Sequence, residues 1–408
     1  MIPSLSTGLR AGAACLIAAA WTLGTDVPAS AQQPAPPAAG APAPEAAPTA
    51  MTTPALTGPL VANPNPMNTD TGTFGTIYFT GAISGLALFQ SDPVAVNRHS
   101  HFDLSNGQFM LQKTEGLLQF YAQGGVYTFP TLGLPYFHVG KTTGDTFGPF
   151  PVGYAKIAPN DAFSVQVGKL PTLIGAEYAF TFQNMNIERG LLWAQEPVIS
   201  RGIQGNYTAG PLAFSLSLND GFYSENYNWV SGSAAWTIDK ENTVTVVGGG
   251  NFGRTTKNIL VSPIAYNNST VINLIYTYNA APWTITPYFQ FTNYSGRASF
   301  GPGLTQDTST YGGAILANYS INDNWNLSGR GEYIGSSGSA ANSPNLLYGQ
   351  NSSALSFTMT PTWQQGVFFV RADASVVSAF SAPPGAAFGK AGNTKTQGRL
   401  VFETGIIF

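Results

Sequence analysis

Charge is scarce in this chain. Its 17 Lys and Arg and 20 Asp and Glu make up 9% of 408 residues, against about 25% in an ordinary globular protein. A net charge of −3 provides no basic footprint for nucleic acid, so no nucleic-acid partner is expected. Histidine is limited to three residues and cysteine to Cys15. That argues against a His/Cys metal site, thiol chemistry and any cofactor built on them. Long apolar runs are also missing beyond the N-terminus, and no stretch carries a convincing helical period. What replaces charge is 46 Gly, 26 Phe, 18 Tyr and many small polar residues, while hydrophobic content stays at 43% and mean hydropathy at +0.02. Such a composition is hard to reconcile with a soluble helical enzyme.

The exception at the N-terminus has the layout of a secretory signal. Arg10 precedes an apolar run from Ala11 to Leu23, and Pro28-Ala29-Ser30-Ala31 follows with small residues at −3 and −1. Residues 1–31 are therefore read as a signal peptide cut after Ala31. The run is shorter than the roughly 20 residues that span a bilayer. Cys15 lies within it, so the exported chain is expected to be cysteine-free. Residues 32–72 follow as a disordered periplasmic linker. Its Ala- and Pro-dominated part, Gln32 to Pro66, carries Glu45 as its sole charge and has too little to bury.

From residue 73 to 408 the texture is uniform alternation broken by turn residues. Val244, Val246, Gly248, Gly250 and Phe252 alternate with Thr243, Thr245, Val247, Gly249 and Asn251; Leu355, Phe357, Met359, Pro361 and Trp363 alternate with Ser356, Thr358, Thr360 and Thr362. Connections alternate between short turns and long segments, such as 129–150 and 170–200. About sixteen strands result, with both chain ends on the short-turn side. The expected fold is all-β: a transmembrane antiparallel β-barrel of about 16 strands, with short periplasmic turns and long extracellular loops. Trp236, Trp283, Trp325 and Trp363 fall near short turns on the apolar phase, where an aromatic girdle meets the headgroup layer of the outer-membrane lipid. The final strand places Leu400, Phe402, Ile406 and the terminal Phe408 on one face. An ending of this kind resembles the signal read by the barrel-insertion machinery.

A barrel of this size no longer fills its lumen with side chains. The polar phase would line the lumen, and Arg330, Glu332, Arg371, Asp373, Arg399 and Glu403 must belong to it, because a charge on the lipid face costs about 2–4 kcal/mol at mid-depth. Arg330/Glu332 and Arg371/Asp373 share a face two residues apart, where they are expected to neutralise one another along the wall. The longest connection, 170–200, carries Glu177, Glu188, Arg189 and Glu196 among aromatics. Part of it is expected to fold into the lumen, with an extracellular cap as the alternative.

Around this connection the chain resembles a known family. Gly168-Lys169-Leu170-Pro171-Thr172, Gly175, Glu177, Asn184-x-Asn186, Pro197 and Gly202, with Asn219-Asp220-Gly221 after the next hairpin, are similar to the OmpL-like outer-membrane β-barrel porins, the second of the β-barrel porin families. Where members typically continue with Ser-Arg-Ser, this chain has Ile187-Glu188-Arg189-Gly190 and keeps the Arg. The match is good over 160–225 and looser in layout over 73–408. The resemblance implies a porin-like barrel in the bacterial outer membrane, names no solute, and offers Lys169, Glu177 and Arg189 as pore-loop residues beside Glu188.

Other signals carry less. His99-Ser100-His101 lacks a third metal ligand, and Gly248-Gly249-Gly250 opens no helix, so it is no phosphate loop. The resulting expectation is a non-enzymatic porin for passive diffusion of small hydrophilic solutes or ions. A structural or adhesive barrel with an occluded pore is the alternative. An outer-membrane hydrolase built on His99, His101 or His138 is the lesser one. Sixteen-stranded porins are often trimers, which leaves a homotrimer open without a legible interface.

Overall fold

A computed structural model describes residues 58–408 apart from Val96. The segment expected to be a signal peptide, 1–31, and the part of the expected linker up to residue 57 lie outside the described residues.

Alternating sequences give alternating strands, since successive side chains leave a strand on opposite faces. In chain order these are β1 (Met67–Asp70), β2 (Thr76–Gln90), β3 (Ser100–Lys113), β4 (Leu118–Tyr127), β5 (Val152–Ile157), β6 (Phe163–Pro171), β7 (Ile199–Ala209), β8 (Leu212–Asn219) and β9 (Trp229–Thr237). There follow β10 (Asn242–Asn251), β11 (Ser269–Ala280), β12 (Trp283–Tyr294), β13 (Thr308–Ser320), β14 (Trp325–Ser336), β15 (Ser353–Gln365), β16 (Phe368–Phe380) and β17 (Thr396–Ile407). From β2 onward each strand pairs antiparallel with its successor. Strand β17 then pairs with β2, from Ile407 opposite Ala82 to Arg399 opposite Gln90. The result is a closed 16-stranded antiparallel β-barrel. Closure leaves no unpaired edge, which is the condition for strands to stand in hydrocarbon.

The seam is completed by the last residue. Phe408 exchanges both backbone hydrogen bonds with Gly81, and its ring covers Gly81 so closely that a Cβ there would sit 2.3 Å from it. Below this point β1 takes over the free edge of β2, from Met67 opposite Phe79 to Asp70 opposite Thr76.

Residues 58–72, read from sequence as part of a disordered linker, have definite positions. Val61 N–H donates to Gln364 Oε1 and Gln364 Nε2 donates back to the Val61 carbonyl, both at 2.8 Å, and Leu60 is 2% exposed. Pattern reading failed here because a few docked residues inside an Ala/Pro tract show no periodicity.

The barrel is inverted relative to a soluble protein. Exposed outward residues include Phe102, Leu216, Val246, Phe289, Phe357, Met359 and Phe402. Buried inward residues include Gln108, Gln123, Gln204, Asn273, Gln290, Thr360 and the charged side chains of β14, β16 and β17.

Candidate functional site: the lumen and its inserted loop

The segment 172–198 between β6 and β7 is the longest connection, and most of it is buried against inward-facing side chains. Its position follows from charge. Arg330 on β14 pairs with Glu177 of the segment at 2.6 Å and with Glu332 on its own strand at 3.2 Å. It also donates to the Glu188 carbonyl at 2.7 Å and to Thr358 Oγ1 at 3.2 Å. Arg399 on β17 pairs with Glu188 at 2.9 Å and donates to the Thr131 carbonyl at 2.7 Å, which ties the 128–151 connection to the same site. Arg371 on β16 pairs with Glu403 on β17 at 2.7 Å, its direct cross-strand partner, and donates to the Asn184 carbonyl at 3.0 Å. Pairing of Arg371 with Asp373, expected from their spacing, is replaced by this contact. Asp373 instead accepts from Glu188 N–H at 2.8 Å and from Thr360 at 2.6 Å.

The backbone of the segment uses the remaining wall groups. Gly190 N–H donates to Glu177 Oε2 at 2.9 Å and Leu191 N–H to Glu332 Oε2 at 3.1 Å. Gly190 must be glycine for this approach, because a Cβ would meet Glu332 Oε1 at 2.1 Å. Asn186 donates to Thr360 at 2.6 Å, and Gln290 donates to the Leu192 carbonyl at 3.0 Å. Arg189 is fully buried and donates to the carbonyls of Ala179 and Ile187. Burial lowers its guanidinium to about 10, leaving it cationic at neutral pH. Glu196 has no partner for either carboxylate oxygen among the described residues. Burial, reinforced by Glu177 and Glu332, pushes its carboxyl well above the usual range.

Lys169 departs from expectation. It lies in β6, outside the loop, on the same face as exposed Val167 and opposite Arg201. Its Nζ donates to the carbonyls of Phe150 at 2.9 Å and Phe147 at 3.1 Å. The alternation Val165, Val167, Lys169 already placed it with outward-facing residues; adjacency to the loop motif obscured that.

Trp236, Trp283, Trp325 and Trp363 stand at the short-turn ends of β9, β12, β14 and β15. Trp325 pairs directly with Trp363, and Trp283 packs on Tyr319 with ring centres 4.7 Å apart. His99 meets the Gln90 carbonyl and His101 meets Asn97, while His138 meets Asp103 and packs edge-on against His101 with ring centres 5.3 Å apart. His101 lies in β3, although the sequence placed it in a loop. No group of three metal-ligating side chains occurs among the described residues.

Two spaces flank the inserted segment. Toward the long connections a cavity of about 430 Å³ is lined by Phe129, Leu132, Trp193, Phe222 and Tyr266 among others. Toward the short turns a polar space of about 600 Å³ is lined by Gln119, Lys156, Gln166, Gln204 and Asn206, with Tyr178 of the segment.

The barrel has structural counterparts at low identity. An anion-selective porin from Comamonas acidovorans superposes with a TM-score of 0.55 and 12% identity, covering 81% of this chain and 99% of that one. OmpT of Vibrio cholerae in its trimer form gives 0.54 and 11%, over 81% and 99%. OmpF of Salmonella typhi in complex with daunomycin gives 0.53 and 11%, over 84% and 100%. None of the curated proteins matches the chain. A family model described as "Putative beta-barrel porin-2, OmpL-like" matches residues 76–408, the whole barrel. The chain belongs to this OmpL-like β-barrel porin family of the outer membrane.

Proposed function

We propose that this chain forms a water-filled channel for passive diffusion of small hydrophilic solutes or ions, without enzymatic activity. The observation that carries the reading is the inverted barrel: apolar side chains outward, amides and charges inward. An interior of that kind is stable only around polar contents. The segment 172–198 acts as the constriction, and selectivity arises from the charges that hold it. Around it five buried carboxylates (Glu177, Glu188, Glu332, Asp373 and Glu403) face four guanidiniums (Arg189, Arg330, Arg371 and Arg399), while burial keeps the carboxyl of Glu196 toward its neutral form. This excess favours cations.

Further parts of the reading follow from placement. The four tryptophans anchor the short-turn rim in the headgroup layer, Phe408 serves recognition by the insertion machinery, and export begins with a cleaved signal peptide. Assembly as a homotrimer is supported by the trimer form of the OmpT counterpart. Planar-bilayer recording in a salt gradient tests the whole. Discrete open steps with a cation-directed reversal potential are expected, and deletion of residues 178–192 should raise conductance. Unchanged conductance would remove the constriction role.

One observation favours a second reading, an occluded structural or adhesive barrel. Leu60 and the inserted Phe180 and Phe182 join one buried apolar cluster with the inward Phe369. Electrical silence of a correctly folded chain would select it.

A further inference from the structure

Two cations stand side by side on the outer face of the barrel. Lys169 on β6 and Arg201 on β7 are direct cross-strand partners, on the face that also carries exposed Val167 and Ile203. Both lie at the long-connection ends of their strands. Like charges directly opposite one another repel, so the pair needs compensation. Arg201 has some. Its Nε donates to buried Asp220 at 2.8 Å, while its terminal nitrogens reach exposed Glu225 and the Tyr223 carbonyl, each at 3.3 Å. Glu225 is shared with Lys257 at 3.2 Å. Lys169 has no carboxylate within ion-pair distance among the described residues and donates to the carbonyls of Phe147 and Phe150. Three cations thus face two carboxylates, and exposed Glu225 is a weak partner because water screens it.

The surface beside them suits an elongated apolar group. Gly153 faces Lys169 from β5 and leaves open a groove of about 630 Å³, lined by Val167, Ile203, Leu218 and Tyr227. A Cβ at Gly153 would meet nothing nearer than the Tyr121 carbonyl at 3.8 Å, so packing does not fill this space. Tyr223 holds the cations in place: its ring centre lies 3.9 Å from the Arg201 guanidinium and 5.5 Å from Lys169 Nζ, a cation–π arrangement. Cations at the rim of a barrel, above an exposed apolar strip, meet the headgroup layer. An anionic headgroup there supplies the missing negative charge through charge-assisted hydrogen bonds.

We propose that Lys169 and Arg201 bind the phosphate of a phosphorylated lipid of the outer leaflet, whose acyl chain lies along Val167, Ile203 and Leu218. The site is on the outer wall and does not depend on conduction. The probe is bisphosphorylated lipid A, added to the full folded chain in detergent and counted as bound lipid by native mass spectrometry, beside the same lipid without phosphates. Preferential binding of the phosphorylated form is expected. Lys169→Gln should weaken it about tenfold, the loss of one charge-assisted hydrogen bond. Gly153→Trp fills the groove without altering either cation and should weaken it as well. Lys156→Gln, which removes a cation that lines the polar space inside the barrel, should not. Heat-modifiable gel mobility reports that each variant is folded. Equal binding of the two lipids would overturn the phosphate contact. Wild-type binding by folded Lys169→Gln or Gly153→Trp, or equal weakening by Lys156→Gln, would overturn the site. Full competition by millimolar inorganic phosphate would mark a free-anion site instead. An oligomer that binds no lipid A and dissociates on Lys169→Gln would assign this face to a second copy of the chain.

Discussion

Arg330 is the side chain on which insertion of the 172–198 segment most depends, and replacing it with Met tests that dependence. The guanidinium joins Glu177 at 2.6 Å, Glu332 at 3.2 Å and the Glu188 carbonyl at 2.7 Å, all out of contact with solvent. Methionine preserves much of the volume but leaves two carboxylates buried without their cation. Removing one partner of a buried ion pair costs about 3–5 kcal/mol. Applied to the docked segment, this shifts its docking equilibrium by about two to three and a half powers of ten. Arg371 to the Asn184 carbonyl and Arg399 to Glu188 remain, so excursions rather than full release are expected. In single-channel records, open-level noise and brief high-conductance states should rise. In urea titration of the folded barrel, the midpoint should fall. Adding Glu177→Gln removes one stranded charge and should recover a large part of the loss, because contacting residues are not additive. A variant with wild-type noise and midpoint, or a double variant as impaired as the sum of its parts, would refute the ionic account of docking.

Three further outcomes follow. Val246 is exposed on the outer face of β10 while Thr245 takes the inward phase, so Val246→Arg should cost about 2–4 kcal/mol of folding stability in lipid and Thr245→Arg should be tolerated; equal effects would show the strand phase to be wrong. Deleting residues 58–66 removes buried Leu60 and both Val61–Gln364 hydrogen bonds, and conductance should rise without loss of folding; an unchanged value would show that this segment lies off the conduction path. Glu196→Gln should alter the pH dependence of stability. The raised carboxyl of Glu196 means that the folded chain holds a proton the unfolded chain has released, so wild-type stability falls as pH rises from the unfolded value through the raised folded one. The Gln variant should lack that decline in urea midpoints as pH rises above the ordinary carboxylate range, and an identical slope would remove Glu196 as its source.

Much of the barrel was legible because its rules are local. Alternation such as Leu355 to Trp363 needs only neighbouring residues, and closure was implied by the matched turn lengths and the even strand number. The inward charges were equally accessible, since Arg330, Arg371 and Arg399 could face nowhere else. Their partners were not. A two-residue spacing predicts a shared face for Arg371 and Asp373, yet it cannot weigh that pairing against Glu403 on the next strand or against backbone groups of a loop about 185 residues away. The same limit hid Asn184, Asn186 and Gly190, which act through carbonyls, amides and the absence of a Cβ. These features have no charge pattern to read: Asn184 and Asn186 stood out only as part of the family motif, and Gly190 only as a residue standing where the family keeps a Ser-Arg-Ser stretch.

The docking of the inserted segment has a consequence for how such a lumen can change. Each wall guanidinium holds both a carboxylate and a main-chain carbonyl: Arg330 has Glu177 and the Glu188 carbonyl, Arg371 has Glu403 and the Asn184 carbonyl, and Arg399 has Glu188 and the Thr131 carbonyl. A carboxylate substitution alone therefore leaves the carbonyl contact in place, whereas loss of a guanidinium breaks both at once and strands a buried charge. The wall arginines consequently control whether the segment stays docked, and the carboxylates chiefly set the sign of the field a passing ion meets. Charge-reversing or neutralising changes at Glu177 or Glu188 are thus expected to move the reversal potential more than the conductance, and changes at Arg330 or Arg399 the conductance more than the reversal potential. Parallel shifts of both quantities in every variant would show that no such division exists.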